Sequence, residues 1–191
     1  MRVGRFLTTV LSCFCLVALV HPAPLHAETP PQVVEGLVVG VAEGDRITVN
    51  SFGTEIHVQL YGIAAPQPAR MDKYTGWYKP GQPYAEEAFR ALSSKILHQV
   101  VKVEIRRNIV LKNDQVALAV VYLDHRNINL EMLAEGWGWA YRRFLNRADH
   151  AHYLGAEKYA RSKKTGLWSQ DNPQAPWDYR PNVRLRRHTG G

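Results

Sequence analysis

The chain has 191 residues with 24 Lys and Arg against 17 Asp and Glu, enough for one ordinary domain with appendages and for a core that needs no staples. The net charge of +7 sits mainly at the ends, because residues 28–179 carry 18 basic and 17 acidic side chains. Both cysteines, Cys13 and Cys15, lie in the N-terminal apolar run, so the rest of the chain is excluded from disulfide, thiolate-metal and cysteine-nucleophile chemistry.

Arg2 and Arg5 precede an apolar stretch from Phe6 to Val20, and Leu25-His26-Ala27 offers small residues where a signal peptidase reads. Residues 1–27 are expected to be a secretory signal cleaved after Ala27, which places the remainder outside the cytoplasm, in a periplasm or extracellular. A membrane anchor is the competing reading, but the run falls short of the ~20 residues a spanning helix needs and is followed by Pro22 and Pro24. A lipoprotein site at Cys13 is a third, though the apolar stretch continues past it.

After a lead over 28–32, Val33–Val41, Arg46–Asn50 and Thr54–Leu60 read as three strands, with turns at Glu43-Gly44-Asp45 and Ser51-Phe52-Gly53. Residues 66–81 form a loop with three prolines, two glycines and the aromatics Tyr74, Trp77 and Tyr78. Pro83 opens a helix with Glu86 and Glu87 in its first turn and Tyr84, Ala88, Leu92 and Ile96 as its buried stripe. Val100–Ile105 alternates, and Val116–Leu123 is apolar enough for a strand buried on both sides, with a turn at Lys112-Asn113-Asp114. Asn129–Glu135 predicts a short helix closed by Gly136. His150–Lys164 predicts another, packed through Ala156 and Ala160 and stopped by Gly166. A hairpin meander, a helix, a hairpin and further helices suit a small closed barrel of OB type, which periodicity alone does not separate from an SH3-like barrel.

The residues also resemble the staphylococcal nuclease, or thermonuclease, family. Glu43-Gly44-Asp45, Val58 to Pro66, Gln82-Pro83-Tyr84-Ala85-Glu86-Glu87-Ala88, Ala119 to Tyr122 and Asn127-Ile128-Asn129 carry the likeness. It continues through Leu133-x-x-Gly136-x-x-Trp139, Glu157-x-x-Ala160-Arg161, Lys164-x-Gly166-Leu167-Trp168 and Pro176-Trp177-Asp178-Tyr179-Arg180. The resemblance implies an α+β fold dominated by a five-stranded SNase-like OB-fold barrel with three helices over 33–180, followed by a basic disordered tail at 181–191.

The family's chemistry uses Ca²⁺ held by carboxylates, a glutamate base and two arginines on the phosphate. By that resemblance Asp45 matches one metal aspartate and Glu43 stands at a further acid. The second metal aspartate falls on Ala64 with Ala65 beside it, the first arginine on Gln59, the base on Gln67, and the second arginine on Val116 or Gln115. Ca²⁺ takes six to eight oxygens, several of them charged, and Ala64 offers no side-chain oxygen. An amide at position 59 brings no charge to a phosphodiester. A catalytic arginine can be worth ~10³ to 10⁵ in rate and a general base ~10² to 10⁴, so the joint loss predicts a silent enzyme.

Two readings remain. In one, the chain is a monomeric, catalytically degenerate binding module. Strand alternation then turns His57, Gln59 and Tyr61 toward the former nucleotide groove, alongside Arg46, Tyr74, Trp77 and Tyr78. That face suits stacking with bases, sugars or peptide side chains, and the expected partner is nucleic acid or another polyanion, with the ligand otherwise left open; Arg180, Arg184, Arg186 and Arg187 of the tail add only a salt-sensitive attraction. In the other, a divergent Ca²⁺-dependent phosphodiesterase has rebuilt its site from Asp45, Glu43, His57, Asp72, Asp114, His150 and His152. His150 and His152, two apart on a helix, do not share a face. Trp137, Trp139, Trp168 and Trp177 read as core or wall.

Overall fold

A computed structural model describes residues 32–71, 76–111 and 114–180. The expected signal at residues 1–27, residues 28–31 of the lead, Asp72, Tyr74, the turn residues Lys112 and Asn113, and the tail beyond Arg180 lie outside the described residues.

Five strands make the scaffold: β1 (Gln32–Glu43), β2 (Arg46–Ser51), β3 (Thr54–Leu60), β4 (Val100–Leu111) and β5 (Asp114–Leu123). β1, β2 and β3 form the predicted antiparallel meander, and β4 pairs antiparallel with both β1 and β5. The ring closes where β3 runs parallel to β5, Val58 opposite Ala117 and Leu60 opposite Ala119. This is the closed five-stranded barrel that the sequence patterns suggest. β4 runs six residues beyond its predicted end, past a register shift between Ile105 and Arg107. β5 is buried from Val116 through Val121, as its unbroken apolar run predicts.

Three helices, α1 (Ala85–Ile96), α2 (Ile128–Ala134) and α3 (His150–Lys163), complete the fold. Ala85, Ala88, Leu92 and Ile96 give α1 its buried stripe. Tyr84 is not part of it: it precedes the helix in left-handed backbone, φ 67°, and its hydroxyl pairs with Ser169 Oγ at 2.6 Å. α3 stops at Lys164, itself left-handed at φ 52°, two residues ahead of the expected Gly166. That glycine instead packs against the Gly136 carbonyl; a Cβ on Gly136 would come within 2.3 Å of the Thr165 oxygen, so these two loops meet only as glycines.

The core fills the barrel and the α1–α2 side with Val38, Val49, Leu60, Leu92, Leu118 and Met132. A smaller cluster of Trp139, Ala160, Leu167 and Trp168 lies beneath α3. Asn129, fully buried, joins barrel to helix: its Oδ1 accepts from the Val121 amide at 2.9 Å, and its Nδ2 donates to the carbonyls of Tyr61 and Ala119. No helix among the described residues is long and apolar enough to cross a membrane.

Candidate nucleic-acid interface

The β1–β2 turn sets Asp45 in place because Gly44 lets it approach α1: a Cβ there would stand 2.7 Å from Ala88 Cβ and 3.0 Å from Ala65 Cβ. Asp45 is 8% exposed, and its Oδ2 accepts from the Ala65 amide at 2.9 Å. Burial pushes its carboxyl up from 3.8 to about 6; the Ala65 amide, the Gln59 amide and Arg46 act the other way, while Glu43 adds to the rise.

Gln59, 5% exposed, faces the same pocket. Its cross-strand partner is Arg46, whose Nε donates to Gln59 Oε1 at 2.9 Å, while the Gln59 amide, close to Asp45, favours the ionised carboxylate. Arg46 thereby brings beside Gln59 the guanidinium that position 59 lacks. Glu43 lies 4.0 Å from Arg46. Ala64 and Val116 present methyl groups, and Val116 is buried in β5.

These residues do not fit a calcium ion. Asp45 has one oxygen spent on a backbone amide, the neighbouring carboxylate of Glu43 lies beside the Arg46 guanidinium, and among the described residues no three His, Cys, Asp or Glu side chains gather at one point. Glu43 opens onto a cleft of about 370 Å³ shared with Glu86 and Phe89, an acidic surface unsuited to phosphate.

The other predicted groove residues do not come together. His57 is exposed on β3, its Nδ1 3.3 Å from Thr48 Oγ1. Tyr61 departs from the alternation: it is 3% exposed, inside the core, with its ring edge-on to Tyr153. Its hydroxyl donates to Asp149 and accepts from the Asn146 amide at 2.7 Å, and burial raises its pKa. The alternation fails because α3 and the turn before it cover the end of β3. Trp77 and Tyr78 are exposed, on a small hairpin in which Arg70 pairs with Lys79 and Met71 with Tyr78, so the 66–81 loop is partly ordered sheet. Arg70, Lys79 and Gln67, the position of the base, line a cleft of about 550 Å³ with Tyr179 and Arg180. His150 and His152 form no metal cluster with other described residues.

Gln82 is not singled out by the sequence, although its motif is. It is buried, and its amide ties two segments of the site together: Oε1 accepts from Gln67 N at 2.9 Å, and Nε2 donates to Gln174 O at 3.0 Å. Its backbone amide also donates to Gln67 O, and Tyr179 Oη donates to Gly81 O. The 174–179 segment is thus fastened over the loop that carries Gln67.

A closed five-stranded barrel with a pocket at the β1–β2 turn and a basic cleft beside it defines a nuclease-type OB-fold domain. Residues 57–170 match the family described as Staphylococcal nuclease homologue. Similar proteins include an "Uncharacterized endonuclease" of Haemophilus influenzae, 31% identical over 149 residues, 78% of this chain and 74% of that protein. "Protein ParB" of Escherichia coli is 30% identical over 181 residues, 92% of each chain. The "Micrococcal nuclease" of Shigella flexneri is 32% identical over 173 residues, 86% of this chain and 87% of that one. The chain belongs to the staphylococcal nuclease family.

Proposed function

We propose that this chain is a catalytically degenerate nuclease-family module, exported and monomeric, that binds nucleic acid along the surviving basic wall of the former nucleotide groove. One observation carries the reading: Asp45, the remaining metal aspartate, is buried and accepts from the Ala65 amide, with the hydrogen-bonded Arg46–Gln59 pair beside it. A carboxylate so engaged would have to release the Ala65 amide and take up Ca²⁺ beside the Arg46 guanidinium. Gln67 offers no basic group in place of the lost glutamate. The surface left for binding is the Arg70–Lys79 hairpin with Trp77 and Tyr78, where positive charge and exposed rings suit a phosphodiester with bases.

A divergent, still active phosphodiesterase is the second reading, favoured by the Arg46 guanidinium in the pocket. Incubating the purified chain with DNA and with RNA, in calcium and then in chelator, separates the two. The module reading expects binding without metal-dependent cleavage; cleavage that stops in chelator refutes it. Restoring Gln59→Arg, Ala64→Asp, Gln67→Glu and Val116→Arg together is expected to return calcium-dependent cleavage if the site is aligned correctly.

A further inference from the structure

The sequence reads Trp177 as core or wall, yet it is 44% exposed and forms the ridge between two clefts. Its position is fixed: the amides of Asp178 and Tyr179 both donate to Ala175 O at 3.0 Å, making a turn, and its own carbonyl accepts from Arg180 Nη1. On one side lies the Arg70, Lys79 and Arg180 cleft already described. On the other is a cleft of about 560 Å³ lined by Tyr141, Arg142, Arg143 and Arg161. Tyr141 stands against Trp177, ring centroids 5.3 Å apart and tilted by 38°.

Charge is concentrated here. Residues 32–180 hold 19 basic and 16 acidic side chains, and the two clefts together take six of the basic ones and one acidic, Glu157. Glu157 is buried and committed: its Oε2 accepts from the Ala140 amide at 3.1 Å, its Oε1 pairs with Arg161, and Arg161 lies over the Trp168 ring. Arg142 and Arg143, both exposed, have no ion-pair partner among the described residues.

We infer that the Arg142–Arg143 cleft is a second binding site for single-stranded nucleic acid, continuous with the first across Trp177. The inference rests on the reading of the chain as a nucleic-acid binder and adds to it a site away from the Asp45 pocket. Each cleft has room for about one nucleotide. Guanidinium groups without carboxylate partners match phosphate oxygens. An exposed indole on the ridge supplies a stacking face, which favours unpaired bases over a duplex and over a polyanion lacking bases.

The test is fluorescence anisotropy of a labelled oligo(dT) 12-mer with the full chain in chelator, with a duplex and heparin as comparators. Arg142→Gln with Arg143→Gln is expected to weaken binding about tenfold and to lower the slope of log affinity against log salt by about 1.4, two single-strand phosphate contacts. Trp177→Ala is expected to weaken oligo(dT) by about tenfold, with Trp177→Phe recovering most of it and heparin unaffected. Thermal melting of each variant checks that the fold persists. Failure of the wild-type chain to bind oligo(dT) sinks the binding-module reading itself. Wild-type binding that Arg70→Glu weakens, but that neither the arginine pair nor Trp177→Ala alters, overturns this second site alone. Equal loss of heparin and oligo(dT) in Trp177→Ala, or duplex binding as tight as single-strand, overturns the assignment to unpaired bases.

Discussion

Replacing Asp45 by asparagine reports directly on whether this carboxylate is a ligand in waiting or a charge buried at a cost. In the folded protein its pKa is about 6 against an ordinary 3.8, so the native state binds the proton more tightly than the unfolded chain. The resulting stabilisation is complete below 3.8 and is lost as pH rises through 6; at neutral pH the ionised group costs about 3 kcal/mol. The asparagine amide would keep an oxygen for the Ala65 N–H while removing the charge. Urea denaturation followed by far-UV circular dichroism is therefore expected to show Asp45→Asn more stable than the wild type by about 2–3 kcal/mol near pH 7.5. The advantage should shrink toward zero by about pH 4. Millimolar calcium should leave the wild-type midpoint unchanged, since a ligand stabilises only the state that binds it. A variant less stable at neutral pH, a difference independent of pH, or a calcium-dependent midpoint would each refute the account of the pocket.

Asn129→Ala removes three buried hydrogen bonds and orphans the Val121 amide, so a loss of about 3 kcal/mol or more is expected, read as a fall of several degrees in melting temperature. Tyr61→Phe leaves the Asn146 amide and Asp149 without their phenol partner. A loss of about 1–3 kcal/mol in urea with unaltered oligonucleotide affinity is expected; weaker binding at unchanged stability would return Tyr61 to the groove.

The barrel was legible because its signals are local: alternating runs, two tight turns and one unbroken apolar strand. The same locality explains what was misread. Tyr61 follows the alternation outward until α3 and Asp149, 88 positions later, enclose it. Gln82 reads as one more polar residue before a helix, since nothing near it reveals that Gln174, 92 positions on, waits for its amide. Trp177 reads as core or wall by residue type, and only the turn at 175–179 shows that it is wall, half exposed between two clefts. Asp45 and Gln59 were readable as neighbours through the family resemblance; that hairpin register sets Arg46 opposite Gln59 and lets it donate to that amide was not.

The stretch Val116–Val121 is six apolar, mostly branched residues, the composition from which intermolecular steric zippers are made. In the finished ring β4 pairs along one side of it, and on the other Val58–Leu60 pair with Ala117–Ala119. The parallel seam is thus a guard as well as a closure: variants that loosen β3 should be lost to aggregation in the cell before they are lost to unfolding, because what they uncover is a template for their neighbours.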